Sequence, residues 1–453
     1  MSERADREHE VEQGDDRHEP TSGGRQDPQQ WQEEGSLPRE VDSDADYVEA
    51  SKEAEHALKK GERGNNRQST RPFYCSRHDA LTSIVFSDTT SNATPSGKMT
   101  RMKTEPQLPV GAAPSGLVHP WPEPPEGGTT IMVAPGIRWL RMPLPFALNH
   151  INLWLLDDER GVTAVDTGTG LPQTRALWET LFAGELADRP IVRVLVTHFH
   201  PDHMGNADWL SRRFGVELWC PQAEWLMAQL AWQGSGGGDS AKRLAHYRRH
   251  GVPEAQVEAL RERGNHYRQL VPTVAPEFRA VREGDVLTIG ARQWRAFTVL
   301  GHAPEHACLF SPSGNVLISG DQVLPKITPN VSVWPDQPRG NPLRLYLDSL
   351  ARFRPLPEDT LILPSHGLPF RGLHPRLDYL RDHHEERLAE ALDAIAEPCT
   401  ASDLVPMLFR RKLDTHQLGF AIGEALAHLH YLEAEGLAAR LVGDDGIHRF
   451  QKA

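Results

Sequence analysis

The chain has 453 residues, of which 38% are hydrophobic and 7% aromatic, and its formal charge is −13. This composition is ordinary for a soluble protein, and the length allows two or three domains. No run approaches the roughly 18 apolar residues of a membrane span, and the N-terminus shows no signal-peptide pattern, which predicts a cytoplasmic protein without a membrane partner. The four cysteines lack CxxC spacing, so neither a disulfide framework nor a thiolate zinc site is indicated.

Residues 1–127 are predicted to form a disordered leader. Residues 1–70 carry 19 acidic and ten basic side chains and few large apolar ones, a composition that cannot offset the entropy of ordering. Prolines cluster near its end, in PWPEPPEGG at 120–128. Met99 and Met102 precede the folded patterning, so two hypotheses stay open: translation starts at one of them, or the leader is a genuine disordered tail.

Short apolar strands begin the next region, residues 128–375. Mixed strands and helices in this alternation favour sheets covered by helices. A helix is predicted over Leu171 to Phe182, between the last two of four strands. The predicted strands are Ile137 to Arg141, Ile151 to Leu156, Val162 to Asp166 and Val192 to Thr197.

The stretch that follows the fourth strand, THFHPDH at 197–203, has the composition of a metal site. Neutral imidazole suits zinc and similar ions, a carboxylate adds negative charge, and several ligands on one loop can reach two ions about 3.5–4 Å apart. A polar turn that is histidine-rich by chance is the alternative, since the chain has 22 histidines. The candidate ligands here are His198, His200, Asp202 and His203.

Three more ligand-type residues each follow a predicted strand, which argues against chance. WRAFTVL at 294–300 leads to His302, VLIS at 316–319 leads to Asp321, and TLILP at 360–364 leads to His366. Asp166 follows the earlier run at 162–165 in the same way. Strands that each deliver one polar residue at their ends predict a site along the rim of the sheets.

An insertion between the ligand segments, at 222–271, is predicted to be helical and to contain a glycine-rich stretch at 234–238. Such a segment is placed to cover the site and select substrates. Its two His-Tyr pairs, at 246–247 and 266–267, favour a solvated helix face over substrate contact. Four other histidines are interpreted as packed or surface residues: His150, His306, His383 and His384.

The C-terminal region, residues 376–453, is predicted to form a small α+β domain. A long helix is predicted over Leu373 to Ala396. After it, a capping-box pattern at Thr400 to Asp403 begins a helix to about Arg411, and a further helix over Thr415 to Glu435 and a hairpin follow, an arrangement that resembles a winged helix. Nine basic against 14 acidic residues argue against nucleic-acid binding, despite the cluster Arg410-Arg411-Lys412. Packing or homodimerisation is the favoured role.

The order Asp-Thr-Gly, His-x-His-x-Asp-His, Gly-His, Gly-Asp and Ser-His-Gly resembles the metallo-β-lactamase-fold superfamily, close to its glyoxalase II-like members. The resemblance implies an α/β fold, an αββα sandwich, with a winged-helix-like domain at the C-terminal end. It also implies two divalent ions and a role for Asp166 in orienting the ligand loop. Glu305 stands where relatives commonly have glycine. By resemblance, His198, His200 and His302 hold one ion, Asp202, His203 and His366 hold the other, and Asp321 bridges them.

The predicted function is that of a dinuclear hydrolase in which a metal-bridging hydroxide attacks a small-molecule substrate. Two ions bring the pKa of a bound water toward about 7 and polarise the oxygen of the attacked group, and Asp202 is the expected catalytic residue that orients this water. Zinc is preferred, with iron or manganese open. The acidic surface favours a small ester or thioester. The alternatives are a metal-dependent endoribonuclease or other phosphodiesterase, and an iron-dependent oxidoreductase similar to persulfide dioxygenases, which use one ion.

Overall fold

The computed structural model describes residues 116–234 and 240–453. Residues 1–115, with Met99 and Met102, lie outside this part, as do residues 235–239, which include most of the glycine-rich stretch. Within the predicted leader, Val118 forms an isolated antiparallel bridge with Arg371, with backbone hydrogen bonds of 3.1 and 2.9 Å. The leader was predicted to run to residue 127, and this contact was not predicted because backbone pairing of a short proline-rich segment leaves no hydropathy pattern.

Seven strands form the first sheet, in which their spatial order follows the sequence. The first four strands pair in antiparallel fashion, and the last four pair in parallel. All four strands predicted between residues 137 and 197 are confirmed. The strands are β1 (Thr130–Ala134), β2 (Ile137–Pro143), β3 (His150–Asp158), β4 (Gly161–Val165), β5 (Ile191–Leu195), β6 (Leu218–Cys220) and β7 (Arg279–Ala280).

Five strands form the second sheet, in the order β12-β11-β10-β9-β8. All neighbours are antiparallel except β11 and β12, which are parallel. The parallel pair brings the ends of these two strands, and the residues that follow them, to the same rim. The strands are β8 (Val286–Ile289), β9 (Arg292–Val299), β10 (His306–Ser311), β11 (Val316–Gly320) and β12 (Leu361–Pro364).

Eleven helices occur in the described residues. The predicted helix at 171–182 is confirmed as α1, and the insertion is confirmed as helical, with four helices from α4 to α7. The helices are α1 (Pro172–Ala183), α2 (Pro201–Met204), α3 (Ala207–Phe214), α4 (Gln222–Gln233), α5 (Ala241–Arg249), α6 (Glu254–Glu262), α7 (His266–Leu270), α8 (Pro342–Ala351), α9 (Leu373–Ala394), α10 (Ala401–Leu408) and α11 (Thr415–Ala434).

The two sheets pack face to face, with helices on both outer faces. Successive side chains of β3 point to opposite faces of the first sheet. Trp154 lies between the two sheets with Trp294, whereas Leu155 faces α1, where Trp178 is buried. The outer face of the second sheet packs against helices α8 and α9 and the C-terminal helices. The predicted α/β fold, an αββα sandwich, is confirmed. No helix in the described ranges has the length and apolar composition needed to cross a membrane.

The C-terminal region consists of α9, α10, α11 and a hairpin of β13 (Ala438–Val442) and β14 (His448–Lys452). The predicted capping box is present, because Thr400 Oγ1 accepts from Asp403 N at 3.1 Å and Asp403 Oδ2 accepts from Thr400 N at 3.0 Å. The proposed boundary at 375/376 falls inside α9. Three helices and a hairpin are the elements expected from the sequence, and the name winged helix stays an interpretation.

A group of buried histidines joins the insertion to the C-terminal region. His246 and His250 of α5 are 3% and 1% exposed, their ring centroids are 4.7 Å apart, and the ring of His250 lies 5.2 Å from that of His448. Tyr247 is also buried. The interpretation of residues 246–247 as a solvated face was therefore wrong, because a docked C-terminal region covers them and the helix's own sequence gives no sign of this partner.

Acid should weaken this contact. Burial, and then nearby cations and imidazoles, lower the pKa of His246 to about 4 and that of His250 to about 2. Below about pH 6.5 the unfolded chain therefore binds more protons at these positions than the folded chain does. Each histidine stabilises the folded state fully at pH 7, and this contribution to the unfolding free energy falls by on the order of 1–2 kcal/mol as the pH falls to 5. The thermal midpoint, measured from pH 7 to pH 5, should fall.

The variant His246→Gln/His250→Gln should show a smaller fall over the same interval, because neither position can then take up a proton. His374→Gln, which changes a half-buried histidine of α9 outside the group, is the control and should keep the wild-type slope. An unchanged slope in the double variant would contradict this account of acid sensitivity.

Candidate metal centre

The loop after β5 carries four of the seven predicted ligands. His198 and His200 precede the short helix α2, which begins at Pro201 and presents Asp202 and His203. Gly205 follows this helix and packs against the loop after β4. A Cβ atom added to Gly205 would lie 2.5 Å from Gly170 N of that loop. Only glycine allows the two backbones to approach this closely, so the loop is held firmly against the first sheet.

The other three ligands come from the second sheet. His302 follows β9, Asp321 follows β11 and His366 follows β12, as predicted. The structure brings all seven predicted residues together in two groups. One group contains His198, His200, His302 and Asp321, and the other contains Asp202, His203 and His366, with the ligand atoms of each group within 4.8 Å of one another.

In the first group, His198 Nε2 lies 2.8 Å from His200 Nδ1 and 3.3 Å from His302 Nε2. In the second group, Asp202 Oδ2 lies 3.7 Å from His203 Nε2 and 3.4 Å from His366 Nε2.

Asp321 lies between the two groups. Its Oδ2 is 3.4 Å from His302 Nε2 in the first group. Its Oδ1 is 3.5 Å from His203 Nε2 and 3.4 Å from His366 Nε2 in the second. One carboxylate thus offers an oxygen to each group.

These residues fit a pair of divalent ions. Ligands about 2.0–2.1 Å from a tetrahedral ion lie roughly 3.3 Å from one another, close to most of the separations here. Within the described part of the chain, the buried atoms His203 Nε2 and Asp321 Oδ1 have no hydrogen-bond partner. Buried polar atoms without partners are costly, and a cation between the two would satisfy both. Imidazole and carboxylate ligands accept zinc, iron or manganese.

The far nitrogens of three ligand rings are fixed by acceptors. His203 Nδ1 lies 2.9 Å from Asp166 Oδ2, His302 Nδ1 lies 2.7 Å from Asn330 O, and His366 Nδ1 lies 2.7 Å from His150 O. Each Nδ1 must therefore donate, so in the neutral ring the lone pair lies on Nε2, directed at the cluster. Burial and then neighbouring imidazoles lower the pKa of His198 well below its usual value, so this ring is neutral, as a ligand must be.

Asp166 occupies the position expected for a residue that orients the ligand loop. It follows β4 with a φ of 63°, in the left-handed region that aspartate tolerates better than most residues. Its carboxylate accepts from Thr197 N at 2.8 Å and from His203 Nδ1 at 2.9 Å. The side chain therefore ties the start of the loop to a ligand ring.

Two histidines that were interpreted as packed or surface residues also contact the cluster. His306 Nε2 accepts from Asp321 N at 3.1 Å, and its ring stacks on His198 with centroids 4.7 Å apart. His150 accepts from His366 through its backbone oxygen and from Gly367 N through Nε2. Both are packed, as expected, but each also positions a ligand. The second histidine in Gly-His-Ala-Pro-Glu-His was the available signal for His306.

The C-terminal region reaches the cluster through Asn330. The backbone oxygen of Asn330 accepts from His302, and its side-chain nitrogen donates to Glu424 of α11 at 3.2 Å. Three residues along, Val333 N donates to Gly423 O at 3.0 Å. Helix α11 therefore supports the segment that holds a ligand ring.

Sequence reasoning missed a pair of carboxylates that joins the two ligand loops. Glu224 of α4 is fully buried, and its carboxylate accepts from Phe199 N at 2.9 Å and from Glu305 N at 2.6 Å. In return, Glu305 Oε2 accepts from Ala223 N at 2.8 Å, in the first turn of α4. Glu305, which stands where relatives commonly have glycine, therefore caps helix α4. Its presence was the one feature of the sequence that pointed to this contact.

Glu224→Ala should weaken both folding and metal binding. Two buried N–H groups would lose their acceptor, which costs about 1–3 kcal/mol of unfolding free energy. Because the loops that these groups anchor carry ligands, metal affinity should fall about 10-fold or more. Denaturant unfolding and competition with a chelator measure the two effects. Glu262→Ala, an exposed change on α6, is the control, and equal affinities in the two variants would contradict a positioning role for Glu224.

Comparison with known proteins agrees with this geometry. Residues 148–366 match the metallo-beta-lactamase superfamily, and residues 388–453 match the metallo-beta-lactamase-like, C-terminal domain. A probable metallo-hydrolase of Bacillus subtilis, YqjP, is 26% identical over 304 residues, 65% of this chain and 92% of that protein. The acyl-coenzyme A thioesterase MBLAC2 of Bos taurus is 28% identical over 198 residues, 42% of this chain and 63% of the relative.

A solved structure matches about three quarters of this chain. The crystal structure of a beta-lactamase domain protein from Burkholderia ambifaria has 47% sequence identity and a TM-score of 0.70, and the match covers 74% of this chain and 98% of that one. From the fold, the ligand cluster and these matches together, the chain belongs to the metallo-beta-lactamase superfamily and is a hydrolase of that fold.

Proposed function

We propose that this protein is a dinuclear metal-dependent hydrolase that cleaves small thioesters or esters. The observation that carries the proposal is the position of Asp321, which offers one oxygen to each of two ligand groups. A site for one ion would not need a carboxylate shared in this way. The proposal therefore favours two ions over the single iron expected of a persulfide dioxygenase-like enzyme.

The proposed ligands are those predicted from the sequence: His198, His200 and His302 for one ion, Asp202, His203 and His366 for the other, and Asp321 for both. When bound, two divalent ions supply hydroxide at neutral pH and polarise the carbonyl oxygen that it attacks. The Asp202 side chain is 15% exposed, so water can reach it. We assign it the role of orienting the attacking water and accepting a hydrogen bond from it at the carboxylate.

The burial of the cysteines agrees with direct attack of water on the substrate rather than attack by a thiol. The three cysteines in the described ranges, Cys220, Cys308 and Cys399, are buried. Burial raises the pKa of each thiol, to about 11 for Cys399, so the reactive thiolate is disfavoured. A thioester would be cleaved to a carboxylic acid and a thiol without a covalent intermediate on these side chains.

A thioester or ester is favoured over a phosphodiester for two reasons. The related MBLAC2 protein is named an acyl-coenzyme A thioesterase. The C-terminal region is acidic, and Arg410 of its one basic cluster lies 3.5 Å from Glu390, which weakens the attraction for a polyanion. A cytoplasmic location and homodimerisation through the C-terminal region stay predictions from the sequence.

A substrate panel tests the proposal. Protein loaded with zinc, iron or manganese is assayed on a thioester, an ester, a lactone and a phosphodiester, before and after chelation. We expect metal-dependent hydrolysis of the thioester or ester, unchanged when Arg410, Arg411 and Lys412 are replaced with alanine. Metal-dependent cleavage of RNA that this triple replacement reduces, with no thioester or ester hydrolysis, would instead support the nuclease alternative.

A further inference from the structure

A mostly apolar cavity of about 190 Å³ lies beside the metal centre. His200 and its neighbour Phe199 form one end, and Tyr267 fixes that end because its hydroxyl donates to Phe199 O at 2.7 Å. The other walls come from the insertion, from the segment at 334–336 and from α11. Its large apolar side chains are Phe199, Met227, Leu230, Leu260, Trp334 and Phe420.

Two arginines line this cavity, Arg243 of α5 and Arg263 after α6. Arg243 is held in place: its Nε donates to Tyr247 Oη at 3.2 Å, and its guanidinium lies 5.6 Å from the ring centroid of Trp334. Gly419 of α11 permits this arrangement, since an added Cβ atom would lie 3.0 Å from Tyr247 Oη. The C-terminal region therefore closes the cavity against Arg243.

Arg263 is half-buried and makes no ion pair with any carboxylate in residues 116–234 and 240–453. Burial, and then the charge of Arg243, lower the pKa of Arg263, while Asp414 acts in the opposite direction. Asp414 also caps α11, where its carboxylate accepts from Gln417 N at 2.8 Å. Asp336, the acidic residue of the cavity wall, pairs with Lys242 at 2.7 Å.

These two arginines give the mostly apolar cavity a positive wall. Two neighbouring guanidinium groups repel each other, and an anion between them would relieve the repulsion and gain charge-assisted hydrogen bonds. His200, one of the proposed ligands, also lines the cavity, so a molecule bound there would lie next to the metal centre.

We infer that this cavity, the arginine pocket, binds an anionic group of the substrate through Arg263 and Arg243, with the uncharged part of the substrate along the apolar walls. The inference rests on the proposed function, and it narrows the substrate to a thioester or ester that carries a negative charge. The volume is below the about 300–1,000 Å³ of pockets that enclose a drug-sized ligand. It therefore suits a small anionic acyl group or one arm of a larger substrate.

Guanidinium binds carboxylate and phosphate with similar two-point geometry, so the charge has two possible sources: a carboxylate on the acyl side or a phosphate on the thiol side. Three inert thioether analogues of equal length separate them. One ends in an acyl-side carboxylate, one carries a phosphate on the thiol arm, and one is neutral with a methyl group at that end. Each is titrated by calorimetry into wild type, Arg263→Gln and Arg268→Gln.

We expect wild type to bind one of the two anionic analogues at least about 10-fold more tightly than the neutral one. Arg263→Gln should lose most of this preference while its affinity for the neutral analogue is unchanged. Arg268→Gln is the matched control, because Arg268 lies on the neighbouring α7 and stacks on Trp232 outside the cavity lining. It should keep the wild-type preference.

Equal affinity of wild type for charged and neutral analogues, or a preference that survives in Arg263→Gln, would overturn the inference. Because binding of inert analogues requires no turnover, the two proposals fail separately. Absence of metal-dependent hydrolysis would overturn the proposed function alone. Hydrolysis of neutral thioesters without an anion preference would overturn the arginine pocket alone.

Discussion

Asp321→Ala is expected to lose bound metal and hydrolytic activity together. Asp321 faces three ligand rings across the two groups, at 3.4 to 3.5 Å, so its removal takes one ligand from each ion at once. Loss of a side chain that only orients a ligand typically costs 10–100-fold in affinity or activity, so loss of the shared ligand should cost at least about 100-fold. Elemental analysis and a thioester assay on one preparation measure both.

Asp393→Ala provides the control, since Asp393 is exposed on α9 and should leave metal content and rate unchanged. Circular dichroism at a temperature where both variants are folded excludes loss of structure as the cause. A fully active Asp321→Ala protein with undiminished metal would show that the assignment of the shared ligand is wrong.

Asp166→Ala should produce the second largest effect, although Asp166 is not a proposed ligand. Without its carboxylate, Thr197 N and His203 Nδ1 lose the acceptor that lies 2.8 and 2.9 Å away. Burying these donors without a partner should lower the unfolding free energy by about 1–3 kcal/mol. The ring of His203 would also lose its orientation, so metal affinity should fall about 10–100-fold. Denaturant unfolding and metal competition assays measure the two losses.

Asp166→Asn distinguishes charge from geometry at the same position. Its amide oxygen can still accept from Thr197 N, so stability should recover in part, whereas the amide NH₂ cannot accept from His203 and metal affinity should stay low. Asp188→Ala, an exposed change, should alter neither. If Asp166→Ala bound metal as tightly as wild type, the proposed orienting role would be wrong.

The proximity of the seven proposed ligands was predictable because it depends on local sequence patterns. Apolar runs mark strands, and the residue after each run lies at a rim; this was sufficient to place His302, Asp321 and His366 near the loop at 197–203. The resemblance supplied the grouping of ligands that the two clusters reproduce in space. Strand and helix positions followed from the same periodicities.

The supporting contacts were not predictable because they join residues far apart in sequence. Glu224 and Glu305 meet across 81 positions, and Asn330 and Glu424 across 94. Neither residue of a pair has a local pattern that requires the other. The same holds for Val118, whose partner is Arg371, and for His246, whose burial depends on the docked C-terminal region. The arginine pocket likewise arises from four separate segments: residues 199–201, the insertion, residues 334–336 and α11.

The metal content of the purified protein tests the central claim most directly. The protein is expressed in medium with trace zinc, iron and manganese, purified without chelators or added metal, and analysed for elemental content per chain alongside its rate of thioester hydrolysis. The account predicts about two ions per chain, with activity that rises as the second ion binds. A fully active protein that holds one ion per chain, or none, would contradict it.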